Sequence, residues 1–128
     1  MTKQIIHTDK APKSLAGYSQ GVKAAGLVFV AGQGPFDPTT GDVVGETIQE
    51  QTSQCLKNVQ AILEAAGASL ENAVSATFII GEAEDFPGFN EEWNKWFPKD
   101  PPARQAAKLP IRVKTMKISI ALIAEAEN

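Results

Sequence analysis

The sequence predicts an α+β fold in which one β-sheet carries two helices on the same face. The apolar, β-branched run 26–32 is bounded by glycines and the run 74–80 is followed by one, which is typical of buried strands. The segments 47–66 and 86–97 instead place apolar residues three and four positions apart, which predicts amphipathic helices. At 116–124 apolar positions alternate with mixed ones, as in a strand with one buried face. This mixture of strands and helices favours a layer of helices on a sheet.

The length and composition of the chain limit the class of protein to which it can belong. The chain has 128 residues, 43% of them hydrophobic, with 12 Lys and Arg against 15 Asp and Glu. These values predict one compact, soluble domain over residues 1–128. Basic residues do not cluster among aromatic ones, so we expect no nucleic-acid partner. The longest mostly apolar stretch, 24–31, is far shorter than the roughly 20 residues that cross a bilayer, and the first residues resemble no secretion signal. We therefore expect a cytoplasmic protein with no membrane partner.

The first half of the chain is expected to form a hairpin, a loop and a long helix. The segment 18–24 alternates weakly and can pair with the strand at 26–32 across a tight turn. Turn-forming residues dominate 32–42, which predicts a surface loop. The helix at 47–66 should end at Gly67, because glycine adopts the left-handed conformation readily.

The second half is expected to contain a strand, a second helix and two last strands. A single helical turn at 70–72 precedes the strand at 74–80. Asp85 is a candidate N-cap for the second helix. The remaining strands are predicted at 103–109 and 116–124, separated by a proline and a short polar link.

Aromatic residues recur at helical spacing in the second helix. They are Phe89, Trp93, Trp96 and Phe97. We interpret them as core packing rather than as a platform for stacking bases, because the four rings share one helical face and no basic residue flanks that face. With both helices on one face, the opposite face of the sheet stays exposed unless another copy covers it, so we expect oligomerisation.

Residue types that usually carry chemistry are sparse. The only histidine, His7, is far from the only cysteine, Cys55, so the chain offers no nucleophilic triad. Cys55 lies at an apolar helix position and is interpreted as a small buried hydrophobe. These two residues cannot build a typical zinc site, and Gly32-Gln33-Gly34 lacks the third glycine and the following helix of a dinucleotide motif. We expect no metal and no cofactor.

Several local patterns, in order, are more informative than any single residue. They are Ala16-Gly17-Tyr18-Ser19-Gln20-Gly21-Val22, Leu27 to Pro35 with its Gly32-Gln33-Gly34-Pro35 turn, Asp37-Pro38-Thr39-Thr40-Gly41, Leu63 to Leu70, Asp85-Phe86 with Asn90, and Pro102-Ala103-Arg104. This ordered set resembles the RidA (YjgF) family of small trimeric enamine/imine deaminases, almost from end to end.

The resemblance implies a chorismate-mutase-like fold that assembles as a trimeric barrel, with ligand sites between subunits. Arg104 would hold a substrate carboxylate through two parallel hydrogen bonds, a role that suits a 2-imino acid. Tyr18 would point its hydroxyl into the cleft, Asn90 would contribute from the aromatic helix, and Gly32 would let the backbone approach the ligand. Each has a structural alternative: a salt bridge for the arginine, ring packing for the tyrosine and a local backbone hydrogen bond for the asparagine.

Two positions depart from the family pattern. Ala106 stands where many deaminating members carry a cysteine, although the resemblance assigns the ligand contact there largely to backbone groups. Ala121 stands where many members carry a glutamate that positions the attacking water. Ser119 on the same strand can hold a water but is no base at neutral pH. What the loops 33–42 and 110–115 add to the cleft is not predictable from the sequence.

The resemblance and its two departures imply three candidate functions. The first is hydrolysis of a small reactive enamine or imine carboxylate to a 2-keto acid and ammonia, with Arg104 as anchor and water held by backbone carbonyls near Ala106, aided by Ser119. The second is a binder or sensor of small carboxylates or keto acids, because Ala121 replaces the acid. The third, the ribonuclease or translation-inhibitor activity sometimes attached to names in this family, ranks last because we find no basic groove and no general base.

Overall fold

The computed structural model describes residues 2–110, 113 and 115–126. Its strands are β1 (Gln4–Ile6), β2 (Gly21–Ala24), β3 (Leu27–Gln33), β4 (Ala73–Ile80), β5 (Ala103–Lys108) and β6 (Ile118–Glu125). Its helices are α1 (Ile48–Ala65) and α2 (Phe86–Trp96), with one-turn 3-10 helices at Leu70–Asn72 and Ala83–Asp85.

The strands form one sheet in the order β1-β2-β3-β6-β4-β5. Neighbouring strands are antiparallel except β4 and β5, which are parallel. A parallel pair needs a crossover connection, and α2 provides it. The architecture is therefore the predicted α+β sheet with two helices.

Local signals fix both ends of α1. Thr47 and Glu50 form a capping box, in which the Thr47 hydroxyl accepts from the Glu50 amide and the Glu50 carboxylate accepts from the Thr47 amide, each at 3.1 Å. At the other end Gly67 has a φ of +76°. The amides of Gly67 and Ala68 donate to the carbonyls of Glu64 and Leu63, so the helix ends in a Schellman motif, and the predicted stop at Gly67 is confirmed.

The alternation along β6 separates two faces of the sheet. Ile118, Ile120 and Leu122 are buried beneath the helices, on what we call the covered face. Ser119 and Ala121 point to the opposite, open face, where Phe29 of β3 is 40% exposed. Cys55 of α1 is fully buried in the core, as expected, and burial raises the pKa of its thiol well above the ordinary value.

The structure differs from the predicted elements at their ends. The short strand β1 is not predicted, because of its three residues only Ile6 is buried. The last strand begins at Ile118 rather than at residue 116, since the Lys117 amide donates to the Gln51 side chain at 2.8 Å instead of to a neighbouring strand. Asp85 precedes α2 but its side chain makes no cap hydrogen bond, because Asp85 already has helical dihedral angles at the end of a 3-10 turn.

Among the described residues, neither α-helix is both long enough and apolar enough to cross a membrane.

Candidate ligand-binding site

Arg104 lies on β5, at the edge of the sheet. Its backbone is in register with Ala76 of β4, which is buried, so its side chain projects on the covered face, towards α2. The Nη1 group of Arg104 donates to Oδ1 of Asn90 at 2.7 Å. The fold thus brings together two of the residues that the resemblance singles out, and Asn90 bonds this arginine rather than its own helix backbone.

The Arg104 guanidinium lies over a cluster of four aromatic rings. Its central carbon lies 5.0 Å from the ring centroid of Phe78, 5.4 Å from that of Trp93, 5.5 Å from that of Phe89 and 5.8 Å from that of Phe86. These distances are in the range of cation–π attraction. Partial burial lowers the pKa of Arg104, but an arginine stays protonated at neutral pH. The rings and Asn90 therefore hold a positive charge in a defined orientation.

The aromatic helix combines core packing with this contact. Phe89, Trp93 and Phe97 are buried, as predicted, whereas Trp96 is only partly buried and donates from Nε1 to Glu92 at 3.0 Å. Lys95 is next to Trp96 in the sequence, but the cation that lies over Phe89 and Trp93 is Arg104, which the fold brings from a strand. The resulting Arg104–ring contacts are not predictable from helical spacing alone.

Tyr18 and Gly32 line a separate cleft of about 480 Å³. Its walls come from the segments 12–15 and 33–41, and the Tyr18 side chain is 49% exposed. One wall is shaped by Asp37, whose carboxylate accepts from the amides of Thr39 and Thr40 at 2.8 and 2.9 Å. These bonds lower the pKa of Asp37. The loop predicted at 32–42 is thus an ordered wall of the cleft.

Gly32 also faces Ser119. A Cβ atom at Gly32 would lie 3.1 Å from the Ser119 hydroxyl oxygen, which is tighter than most side-chain contacts. The absence of a side chain at Gly32 therefore keeps the backbone accessible beside this hydroxyl.

Ala106 and Ala121 lie apart from Tyr18 and from each other. Ala106 follows Arg104 on β5 and lines a depression of about 500 Å³ with Glu82 and Glu84. Ala121 lines a depression of about 150 Å³ on the open face, together with Thr77. None of the described residues that line the Ala121 depression carries a carboxylate.

The predicted site residues therefore fall into groups on different parts of one chain. Arg104 and Asn90 are on the covered face, at the β5 edge, whereas Ser119 and Ala121 are on the open face. In the described part of the chain, the cleft that contains Tyr18 and Gly32 does not include Arg104. None of the three clefts described above contains all of these groups.

Comparison with known proteins gives a consistent result. Residues 8–126 match the family model described as Endoribonuclease L-PSP. A RutC family protein of Saccharolobus solfataricus is 42% identical over 123 residues, which cover 96% of this chain and 98% of that protein. The 2-iminobutanoate/2-iminopropanoate deaminase of Rattus norvegicus is 35% identical over 122 residues, which cover 95% of this chain and 89% of that protein.

Solved structures extend the similarity to the fold. RidA from the Antarctic bacterium Psychrobacter sp. matches with a TM-score of 0.88 at 35% identity, covering 95% of this chain and 98% of that one. E. coli TdcF with bound serine matches with a TM-score of 0.89 at 33% identity, covering 97% of this chain and 99% of that one. The ordered motifs, the fold and these relatives agree: the chain belongs to the RidA (YjgF) family, within the group whose family model is described as Endoribonuclease L-PSP.

Proposed function

We propose that this protein hydrolyses small reactive 2-imino and enamine carboxylates to 2-keto acids and ammonia. The observation that carries the proposal is the Arg104 guanidinium, which is bonded to Asn90 and lies over four aromatic rings at the edge of the sheet. An arginine has five N–H donors in a planar fork, and Asn90 accepts one of them. A guanidinium oriented in this way suits a planar carboxylate.

The chemistry demands little of the protein once the carboxylate is held. A protonated imine carbon is electrophilic, so water adds to it, and loss of a proton gives a carbinolamine. Transfer of a proton to the nitrogen then lets ammonia leave as the carbonyl forms, with no cofactor consumed. Holding imine and water in a reactive geometry accelerates this addition even without a strong base. Backbone carbonyls near Ala106 and the Ser119 hydroxyl are the groups that we assign to the water.

Two relatives support this substrate class. One is named as a deaminase of 2-iminobutanoate and 2-iminopropanoate, and a second has been solved with bound serine. All three molecules are small and carry one carboxylate beside a carbon that bears nitrogen. That arrangement fits a site with one arginine anchor.

The proposed site is shared between neighbouring copies in a homotrimer. Arg104 and Asn90 would come from one copy, and the Tyr18–Gly32 cleft from the next. The division of these residues between separate parts of one chain supports this arrangement, as does the apolar, exposed Phe29 on the open face.

We expect light scattering at micromolar concentration to give three times the chain mass of 13.7 kDa. The physical reason is that association removes apolar side chains of the open face from water, and this burial favours the assembled state. A monomer under these conditions would remove both the trimer and the shared site.

We expect the protein to release ammonia from freshly generated 2-imino acids faster than buffer does, by at least about tenfold for the best substrate, because positioning alone supplies acceleration of this order or more. An amino-acid oxidase generates imines of several side-chain sizes, and a coupled assay follows the ammonia. Heat-denatured protein is the control for trace catalysis by buffer components. Rates equal to buffer for every imine would contradict the proposed activity.

The second candidate is a binder or sensor of small carboxylates that performs no catalysis. The observation that favours it is Ala121, because the depression around this residue has no carboxylate among its described lining residues. In this case the protein binds keto acids through Arg104 but leaves ammonia release at the buffer rate. The same assay, paired with a binding measurement, therefore separates the two candidates.

A further inference from the structure

The two walls of the Tyr18–Gly32 cleft are each attached to a buried amide side chain. Asn58 of α1 lies beneath the wall that begins at Gly34, and Gln20 lies beneath the wall that contains Pro12. Both side chains are 1% exposed. Neither belongs to the residues that we assign to the ligand or to the water.

Asn58 fixes the wall that follows Gly32. Its Nδ2 group donates to the carbonyl of Gly34 at 3.2 Å and to that of Phe36 at 2.9 Å. Its Oδ1 atom accepts from Nε2 of Gln54 at 3.0 Å, so the amide is held in one orientation. Both carbonyls are thereby tied to a helix that is itself packed in the core.

Gln20 performs the corresponding task for the opposite wall. Its Oε1 atom accepts from the Thr8 amide at 2.8 Å, and its Nε2 group donates to the carbonyls of Thr8 at 3.0 Å and Pro12 at 2.8 Å. The segment 8–12 forms no long strand, so these bonds substitute for strand pairing there. Gln20 is also only two residues from Tyr18, whose ring lines the same cleft.

We propose that Asn58 and Gln20 are positioning residues, which set the separation and shape of the cleft walls and thereby the affinity of the site for its ligand. The inference rests on the proposed function, in that the cleft is taken to receive a 2-keto or 2-imino acid. A buried amide that loses its partners is costly, so each side chain holds its wall in one arrangement rather than several. If a wall adopts several arrangements, ligand binding must restrict it to one of them, and the entropy lost lowers the affinity.

The test compares Asn58→Leu and Gln20→Met with a matched control, Val59→Ala. Leu and Met keep the approximate size of the buried side chain but remove the hydrogen bonds. Val59 is fully buried on the same helix, so its truncation lowers stability without changing a bond to either wall. Gln54→Leu is a milder variant on the same wall, because it removes the support of the Asn58 amide and one long bond to the Phe36 carbonyl, 3.4 Å, but leaves both bonds of Asn58 to the wall.

We expect the dissociation constant for 2-oxobutanoate, measured by calorimetry, to rise about tenfold in Asn58→Leu and Gln20→Met, and less in Gln54→Leu. Val59→Ala should bind like the parent at a temperature where all variants are folded. Amide hydrogen exchange gives a readout without ligand: in Asn58→Leu, exchange should accelerate at Asp37 and Val44, whose amides donate to Asp42 and Pro35 in that wall. It should not accelerate there in Val59→Ala.

Affinities within twofold of the parent in both amide variants would overturn the proposal, as would an equal loss in Val59→Ala. Unchanged amide exchange at Asp37 and Val44 in Asn58→Leu would mean that Asn58 does not position this wall. A parent that binds 2-oxobutanoate but releases no ammonia contradicts the deaminase activity and leaves the positioning test intact. A parent protein that neither binds 2-oxobutanoate nor releases ammonia contradicts both the proposed activity and the positioning proposal.

Discussion

Arg104→Lys is expected to lose most of its affinity for a small 2-keto acid, although the positive charge is kept. An ammonium cannot make the two parallel, in-plane hydrogen bonds that a guanidinium offers to a carboxylate. Lysine also loses the flat surface that lies among Phe78, Phe89 and Trp93. Loss of a hydrogen bond to a charged group typically costs about 1.5–3 kcal/mol, so we expect affinity to fall by roughly 10- to 100-fold. Calorimetry with 2-oxobutanoate measures this change in the dissociation constant.

The control for this variant is Lys57→Ala, which removes a positive charge from the exposed side of α1. It changes the net charge but none of the contacts described for the site, so binding should stay close to that of the parent. Equal affinities of the parent and Arg104→Lys would mean that the arginine is not the anchor.

Ala121→Glu is expected to accelerate imine hydrolysis, because it restores a carboxylate that can orient and polarise water at the position indicated by the family resemblance. General-base assistance is typically worth about 10²- to 10⁴-fold, so even an imperfectly placed carboxylate should give a measurable gain in ammonia release. The gain requires an intact anchor, so Arg104→Lys combined with Ala121→Glu should lose most of it.

The structure defines the environment that this glutamate would enter. Ala121 is on the open face, in register with Thr77 and away from Ile120 and Leu122, which point into the core. Arg104 of the same chain is on the other face of the sheet, so it does not offset the cost of burying the new charge.

Ala121→Gln is the matched control, since it has nearly the size of the glutamate but cannot accept a proton. Thermal denaturation of both variants checks that the added bulk is tolerated. If Ala121→Glu folds like the parent and still binds 2-oxobutanoate, yet releases ammonia no faster than Ala121→Gln, the water-positioning explanation is wrong and the binder hypothesis gains.

The sequence predicts the elements whose signals are local and repeated. The three- and four-residue spacing of apolar residues and Gly67 predict α1, and the alternation predicted at 116–124 separates the two faces of β6. Strand β1 is missed because only Ile6 gives it a buried position, and one residue makes no pattern. Asp85 fails as a side-chain cap because the preceding 3-10 turn, which depends on the tertiary path of the chain, already gives it helical angles.

The candidate site is less accessible to sequence reasoning than the fold. Family resemblance selects Arg104, Asn90, Tyr18 and Gly32, but not which of them meet within one chain. That depends on the parallel pairing of β4 and β5, which places Arg104 beside α2. The contacts of Phe78 and Phe86 with the guanidinium arise from the same strand pairing, and no pattern in the local sequence predicts them. Polar residues on the buried side of α1, such as Asn58, are a signal in the sequence. They could have indicated that this helix forms hydrogen bonds to a neighbouring loop.

The most direct test of the shared site is a crystal structure of the protein with 2-oxobutanoate bound. The proposal predicts the ligand carboxylate on the Arg104 guanidinium of one copy, with Asn90 still bonded to that arginine. It also predicts the remainder of the ligand against Tyr18 and Gly32 of a neighbouring copy in a trimer. A ligand held by groups of one copy alone, or bound without contact to Arg104, would contradict it.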